Sequence, residues 1–450
     1  MHSIFFDLET TDLNTVGQIL NYAFVEVAED WSIKSKLTGK IKISRLQLPN
    51  PESIIATKTD VIAHNLDAKD YEHIALAKIQ KYIQDIVEWN DTKLIGFNSN
   101  RFDVPFLRTS MIRNGLNPYF GGSIKYGDVL HVVKRLLCDN ESFSNKLEKK
   151  ENGKHNTKLE SIARSFGLLK TQEKQQHESL ADVELTIKLA KLLSDEYDID
   201  VRQYSSYEVD KNSSDVIEVF PFVDESGEKV SDEYCLMALL EQNKTQALWI
   251  NLKKFEEGLG KKSVSWYNKN TSSFFVKQRI SSDAHKQLAQ KAKKELSHIN
   301  LQNFWPEKNC DVEQFIYMMP INEISAVYDA VWRKDLFLIK QTQSKFASKL
   351  YLRFLANNED ISEVEEQIKK YALYRYGGKL KLDKENFDVQ FQEGVFSESF
   401  HPTYNELLSK IDQLSKTPEN FHVMSQLKSF YEQSAISSIA GAELKKIFRE

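Results

Sequence analysis

The sequence predicts an α/β protein in three parts: a mixed sheet flanked by helices, a β-rich stretch, and an all-helical tail. Three observations predict it. Short apolar, β-rich runs cluster near the start, and stretches with apolar residues three or four apart follow them. After a polar passage the texture turns β-like again. From there on it becomes helical and stays so.

Taken in order, the early strands read at 4–6, 22–27, 41–43 and 94–97, and helical periodicity appears over 71–87, 105–114, 159–166 and 180–193. The polar run 208–215 reads as a linker. Polar and Gly-containing turns then separate β-like stretches at 216–223, 235–240, 247–252, 272–276 and 315–319. Helical patterns resume at 344–355, 363–374, 404–414 and 421–434. The expected domains are therefore 1–200, 201–335 and 336–450, a division that suits a chain of 450 residues.

Composition sets the class. Hydrophobic residues make up 41% and charged residues 28%, as in ordinary soluble globular proteins. No apolar run approaches the roughly 20 residues that cross a bilayer, and Met1-His2-Ser3-Ile4 lacks the basic start of a signal peptide. Cys138, Cys235 and Cys310 are isolated, without metal-ligand spacing. They read as reduced thiols in a cytoplasmic protein. The net charge of −5 supplies no basic stripe for nucleic acid. A set of catalytic carboxylates would itself add negative charge, so charge alone leaves the partner open.

Three segments carry the chemistry. In Phe5-Phe6-Asp7-Leu8-Glu9-Thr10-Thr11, strand alternation puts Asp7 and Glu9 on one face and Phe6 and Leu8 on the other. Two neighbouring buried acids repel and are costly to desolvate, so a cation is expected to offset them. Hard divalent cations prefer carboxylate oxygens. An exposed edge strand with solvated acids is the plain alternative. In the second segment, 96–107, a strand ends near Asn98 and a helix begins near Pro105, with Asp103 at the helix start. Taken alone, Asp103 reads as an N-cap. The third segment is His177-Glu178-Ser179-Leu180-Ala181-Asp182, ahead of an amphipathic helix whose stripe is Val183, Ile187 and Ala190. Here Ser179 and Asp182 have the spacing of a capping box, and His177 reads as a loop residue.

Together the three segments resemble the DEDD superfamily of 3′→5′ exonucleases, in its His-containing branch, and within it the bacterial exonuclease I family. The matched pieces are Asp7-x-Glu9, the Asn98-x-x-Arg101-Phe102-Asp103 run, and His177-x-x-x-x-Asp182. The likeness continues through Arg108, Asn117-Pro118-Tyr119, the 128–134 run from Asp128 to Lys134, and Lys158-Leu159-Glu160. It thins beyond residue 195, apart from patches such as 317–322. It implies a ribonuclease H-like exonuclease domain, an SH3-like β-rich extension and a helical C-terminal domain. The implied reaction is release of 5′-mononucleotides from single-stranded DNA, in repair or recombination. Two Mg²⁺ ions, with Mn²⁺ able to substitute, would be held by Asp7, Glu9, Asp103 and Asp182. His177 would be the base, its ordinary pKa of about 6.5 suiting work near neutrality.

The resemblance also implies strand contacts from Leu8, Glu9, Thr10, Arg108, Tyr119, Lys134 and Lys158. Lys158 stands where a relative has Arg, which keeps charge and loses bidentate geometry. A second expected surface spans 253–279. It holds seven Lys/Arg against two Glu, with Trp266, Tyr267, Phe274 and Phe275 interleaved. An ordinary charged hairpin with one aromatic face in the core is the alternative there. The segment 148–154 reads as a disordered loop. The expected partner is single-stranded DNA, with a single-strand-binding protein possible, no membrane, and a monomeric chain. RNA trimming uses the same acids, since sugar choice depends on contacts to the 2′-OH. A proofreading or partner-docking module is the reading from another class.

Overall fold

The computed structural model describes residues 2–434 apart from 16, 45–46, 88–91, 115, 121–122, 171–177, 210–215, 220–234, 281, 303 and 305–401. His177, Cys310, the expected stretches at 315–319, 344–355 and 363–374, and the boundary at 335 lie outside the described residues.

The first part begins with β1 (His2–Thr10), β2 (Ile19–Val27) and β3 (Ile33–Lys40), then α1 (Pro51–Thr57), α2 (Val61–Asp67) and α3 (Glu72–Val87). It continues with β4 (Thr92–Gly96), α4 (Asp103–Arg113), β5 (Ile124–Asp128), α5 (Val129–Asp139), α6 (Glu141–Lys146), α7 (Leu159–Ser165) and α8 (Ser179–Tyr197). The sheet runs β3-β2-β1-β4-β5, antiparallel on the β3 side and parallel on the β5 side. Strand β1 lies at its centre.

Alternation along β1 assigns its side chains to two cores. Ile4, Phe6 and Leu8 join α3 and α4 through Leu76, Ile79, Ile83, Val104 and Phe106. Phe5 joins α5, α7 and α8 through Val132, Ile162, Val183, Ile187 and Ala190. Phe5, Phe6 and Phe24 are almost wholly buried, each contributing about 1.5–3 kcal/mol. Because Asp7 and Glu9 share Phe5's face, they are presented beneath α8.

Strands β3 and β5 were not legible in the sequence. Strand β3 is an exposed edge strand of Lys and Ser with few apolar positions, and 41–43 contributes only a bridge from Ile41 to Asp70. The segment 148–156 is a closed turn, contrary to the expected disordered loop. Lys150 N donates to Lys154 O at 2.7 Å, and Asn156 N to Glu148 O at 2.8 Å.

A second sheet holds β6 (Val216–Val219), β7 (Cys235–Gln242), β8 (Gln246–Asn251), β9 (Val264–Asn268) and β10 (Val276–Ile280), all antiparallel in the order β10-β6-β7-β8-β9. One face packs on α10 (Asp283–Glu295), a helix in a stretch read as β-like, and on α9 (Leu252–Glu256). The other face encloses Trp249, Tyr267 and Phe274. Lys93 joins the segment after α8 to the first sheet, its Nζ donating to Val201 O at 3.0 Å and Tyr204 O at 2.8 Å. Arg135 of α5 reaches Glu208 at 3.1 Å, and Glu208 also accepts from Val276 N of β10 at 3.0 Å.

Helices α11 (Tyr404–Leu414) and α12 (Phe421–Gln433) fall within one residue of the expected 404–414 and 421–434. Thr403 and Glu406 form a capping box that starts α11. Ile411, Met424 and Leu427 bury against Leu20, Ile54 and Val61 of the first part. The Tyr431 hydroxyl donates to Pro49 O, and Lys410 pairs with Glu52 at 2.6 Å.

Candidate active site

Three of the expected acids converge. Asp7 and Glu9 project from one face of β1, and Asp182 reaches them from the first turn of α8, with ligand oxygens all within 4.8 Å of one another. Asp182 is buried, and Asp7 and Glu9 are half-buried. The capping-box alternative for Ser179 and Asp182 is not realised. Glu178 occupies the N-cap position and no side chain caps the helix.

Asp103 joins the cluster through the backbone. Helix α4 starts at Asp103, two residues before Pro105, with Phe102 at the N-cap position and no side-chain cap. The Asp103 carboxylate is not a cap for its own helix. Its Oδ1 instead accepts from the amide of Leu8, the residue between Asp7 and Glu9, at 3.1 Å. The turn from β4 to α4 presses against β1 to allow this. A Cβ on Gly96 would meet Phe6 O at 2.9 Å, so only glycine fits there.

The electrostatics show an unsatisfied site. Burial, then the nearby Asp182 charge, pushes the Asp7 carboxyl up to about 8. Burial, then Asp7 and Asp182, pushes Glu9 up to about 9. Burial and then Asp7 raise Asp103 well above the usual carboxylate range, against the opposing pull of the Leu8 amide. Asn21 of β2 pairs with Glu9 across the strands and therefore shares its face. Its Oδ1 is buried with no hydrogen-bond partner. Close carboxylates and an orphaned carboxamide oxygen form an all-oxygen donor set, which fits a hard divalent cation.

The expected strand contacts separate. Leu8 and Thr10 are buried beside the acids, and Thr10 Oγ1 donates to Asp12 O at 2.7 Å. The Arg108 guanidinium lies 5.5 Å from the Tyr119 ring centroid and 4.6 Å from that of Tyr126. This brings Arg108 and Tyr119 together as a cation–π pair. Lys134 is buried on α5, whereas Lys158 is exposed at the start of α7.

The aromatic part of the expected 253–279 surface is not realised. Tyr267, Phe274 and Phe275 are buried, and Trp266 packs against the core on the α10 side. The apolar partners Trp249 and Met237 draw Tyr267 and Phe274 inward, and strand alternation turns Trp266 to the α10 face.

Two residues escaped the sequence reading of the site. Asn21 has no local signal, because its place opposite Glu9 depends on strand register. Asp128 stood in the sequence only within the 128–134 run, and neither its cap on α5 nor its grip on a distant turn had a local signal.

An exonuclease family model matches residues 4–190. No curated protein matches the chain. Solved structures match its whole length. A moderately thermophilic exonuclease I from Methylocaldum szegediense is 16% identical with a TM-score of 0.66, covering 98% of this chain and 99% of that one. E. coli exonuclease I in complex with a dT13 oligonucleotide is 16% identical with a TM-score of 0.65, covering 96% and 100%. The zinc-bound E. coli exonuclease I complex with single-stranded DNA is 15% identical with a TM-score of 0.61. Residues 4–190, which carry Asp7, Glu9, Asp103 and Asp182, thus match an exonuclease family model, in a chain with the fold of the exonuclease I structures.

Proposed function

We propose that the protein is a 3′→5′ exodeoxyribonuclease that degrades single-stranded DNA to 5′-mononucleotides, acting as a cytoplasmic monomer in repair or recombination. The observation that carries this reading is the convergence of Asp7, Glu9 and Asp182 within 4.8 Å, inside an exonuclease-family domain. Similarity along the whole chain to E. coli exonuclease I crystallised with dT13 and dA16 supports single-stranded DNA as the substrate. Among the described residues no helix is long and apolar enough to cross a membrane.

In this reading Asp7, Glu9 and Asp182 would hold Mg²⁺, with Asp103 at a second ion. Such ions supply charge stabilisation for the attacking and leaving oxygens of an in-line displacement at phosphorus. His177, two residues before α8, takes the proton of the attacking water. The bond to the 3′-oxygen of the penultimate nucleotide breaks, and that oxygen leaves with a proton from solvent. Leu8 and Thr10 border the terminal nucleotide, Arg108 and Tyr119 engage the strand behind it, and Lys134 and Lys158 add positive charge. The parts expected at 201–335 and 336–450 complete a groove for a longer strand, and a single-strand-binding protein is the expected docking partner.

An end-labelled time course tests this, with matched single-stranded DNA, single-stranded RNA and duplex DNA, each with Mg²⁺ or EDTA, beside Asp182→Ala. Metal-dependent shortening of DNA from its 3′ end, lost in Asp182→Ala, is the expected result. Preferential shortening of RNA would move the assignment to an exoribonuclease. No shortening of any strand would leave a binding module.

A further inference from the structure

Asp128 is a buried carboxylate at the junction of β5 and α5, outside the acid cluster. Its Oδ1 accepts from Leu130 N at 3.0 Å, which caps α5, and also from Asn98 N at 2.8 Å. Its Oδ2 accepts from Asn100 N at 3.0 Å and lies 3.9 Å from His131 Nε2. One N-cap bond would satisfy the helix. The other two amides belong to a turn some 30 residues earlier in the chain, the turn that launches α4.

That turn needs holding. Asn98 adopts φ +61°, a left-handed conformation that costs a non-glycine residue free energy. The start of α4 hangs from the same turn. Phe102 N donates to Asn98 O at 3.3 Å, and Val104 N to Ser99 O at 2.8 Å. Asp103 lies between these two anchors, and its carboxylate meets Leu8 N at 3.1 Å. Hydrogen bonds from Asp128 to 98–100 and from there to Phe102 and Val104, the two backbone neighbours of Asp103, therefore link Asp128 to the backbone between Asp7 and Glu9.

We propose that Asp128 is a positioning residue: by clamping the amides of Asn98 and Asn100 it sets where the Asp103 carboxylate stands relative to Asp7 and Glu9. This deepens the nuclease reading and rests on it. Partners behind a catalytic group are worth roughly 10- to 100-fold in activity, and Asp128 acts only through Asp103.

Two variants separate its tasks. Asp128→Ser keeps a good helix cap but has one short oxygen and cannot reach the turn. Asp128→Asn keeps the shape and replaces one acceptor by a donor that faces an amide. Single-turnover rates and KM on labelled single-stranded DNA are measured for both, alone and combined with Asp103→Asn, beside wild type and its thermal unfolding. The expected result is a folded protein whose kcat falls about 10- to 100-fold with KM within about twofold, and no further fall once Asp103 is already Asn. Wild-type rates in both variants overturn the inference. So does an equal loss in both backgrounds, or loss of the fold in both, since either makes Asp128 a structural residue only. An inactive wild type would defeat the nuclease reading instead.

Discussion

The amide of Leu8 donates to the Asp103 carboxylate at 3.1 Å, which ties the head of α4 to the strand residue separating Asp7 from Glu9. The Asp103 carboxylate turns to the β1 backbone beside the acids and does not cap its own helix. Asp103→Asn keeps an oxygen for Leu8 and removes a buried charge. The expected outcome is an unchanged or slightly raised melting temperature with hydrolysis reduced at least about 100-fold. Parallel thermal unfolding and end-labelled assays check it; a loss of stability matching the loss of rate would refute a site role.

Stability of the cation-free protein should fall as pH rises. In the fold Asp7 and Glu9 are pushed from their ordinary 3.8 and 4.5 up to about 8 and about 9. The folded state therefore binds their protons more tightly than the unfolded chain. Their contribution is fully present below about pH 4 and is lost as pH rises through about 8 and 9. In EDTA the melting temperature should be lower at pH 9 than at pH 6, and Mg²⁺ should raise it more at the higher pH. Scanning fluorimetry reads both effects, and a Mg²⁺ shift independent of pH would count against the coupling. Asp7→Asn should flatten the profile.

Arg108 is held against the rings of Tyr119 and Tyr126. If it meets a phosphate, Arg108→Ala raises KM for single-stranded DNA about tenfold with kcat little changed. The slope of log affinity against log salt becomes shallower by about 0.7. Arg108→Lys should recover the salt slope but not the stacking. An unaltered salt slope in Arg108→Ala would place this residue in packing alone.

Lys93 supports the junction with the second sheet. Its ammonium serves Val201 O and Tyr204 O, and hydrogen bonds from a charged donor are worth about 1.5–3 kcal/mol. Lys93→Met should lower the first thermal transition by several degrees and leave KM unchanged. Faster hydrogen exchange at 201–204 would locate the effect, and unchanged exchange there would dismiss it.

Local spacing carried much of this protein. Strand alternation at 5–9 put Asp7 and Glu9 on one face. Helical periodicity after residue 179 put Val183, Ile187 and Ala190 on one stripe, and the structure buries them in the core. Helices α11 and α12 were equally legible from their apolar period. Such patterns depend only on neighbours a few positions apart.

What depended on distant neighbours was not legible. The exposed strand β3 lacks a hydrophobic alternation, so its partner β2 decides it. The aromatics of 264–275 looked suited to stacking on bases until the second sheet closed over Trp249. Asp103 read locally as a helix cap, and Asp128 only as part of the 128–134 run. Only the parallel pairing of β1, β4 and β5 brings the 98–103 turn between Leu8 and Asp128. The sequence by itself determined which acids exist and which face each one takes, because backbone periodicity is local. Tertiary structure alone decided what each acid holds, because a hydrogen bond across 30 or 95 residues is set by strand order and register.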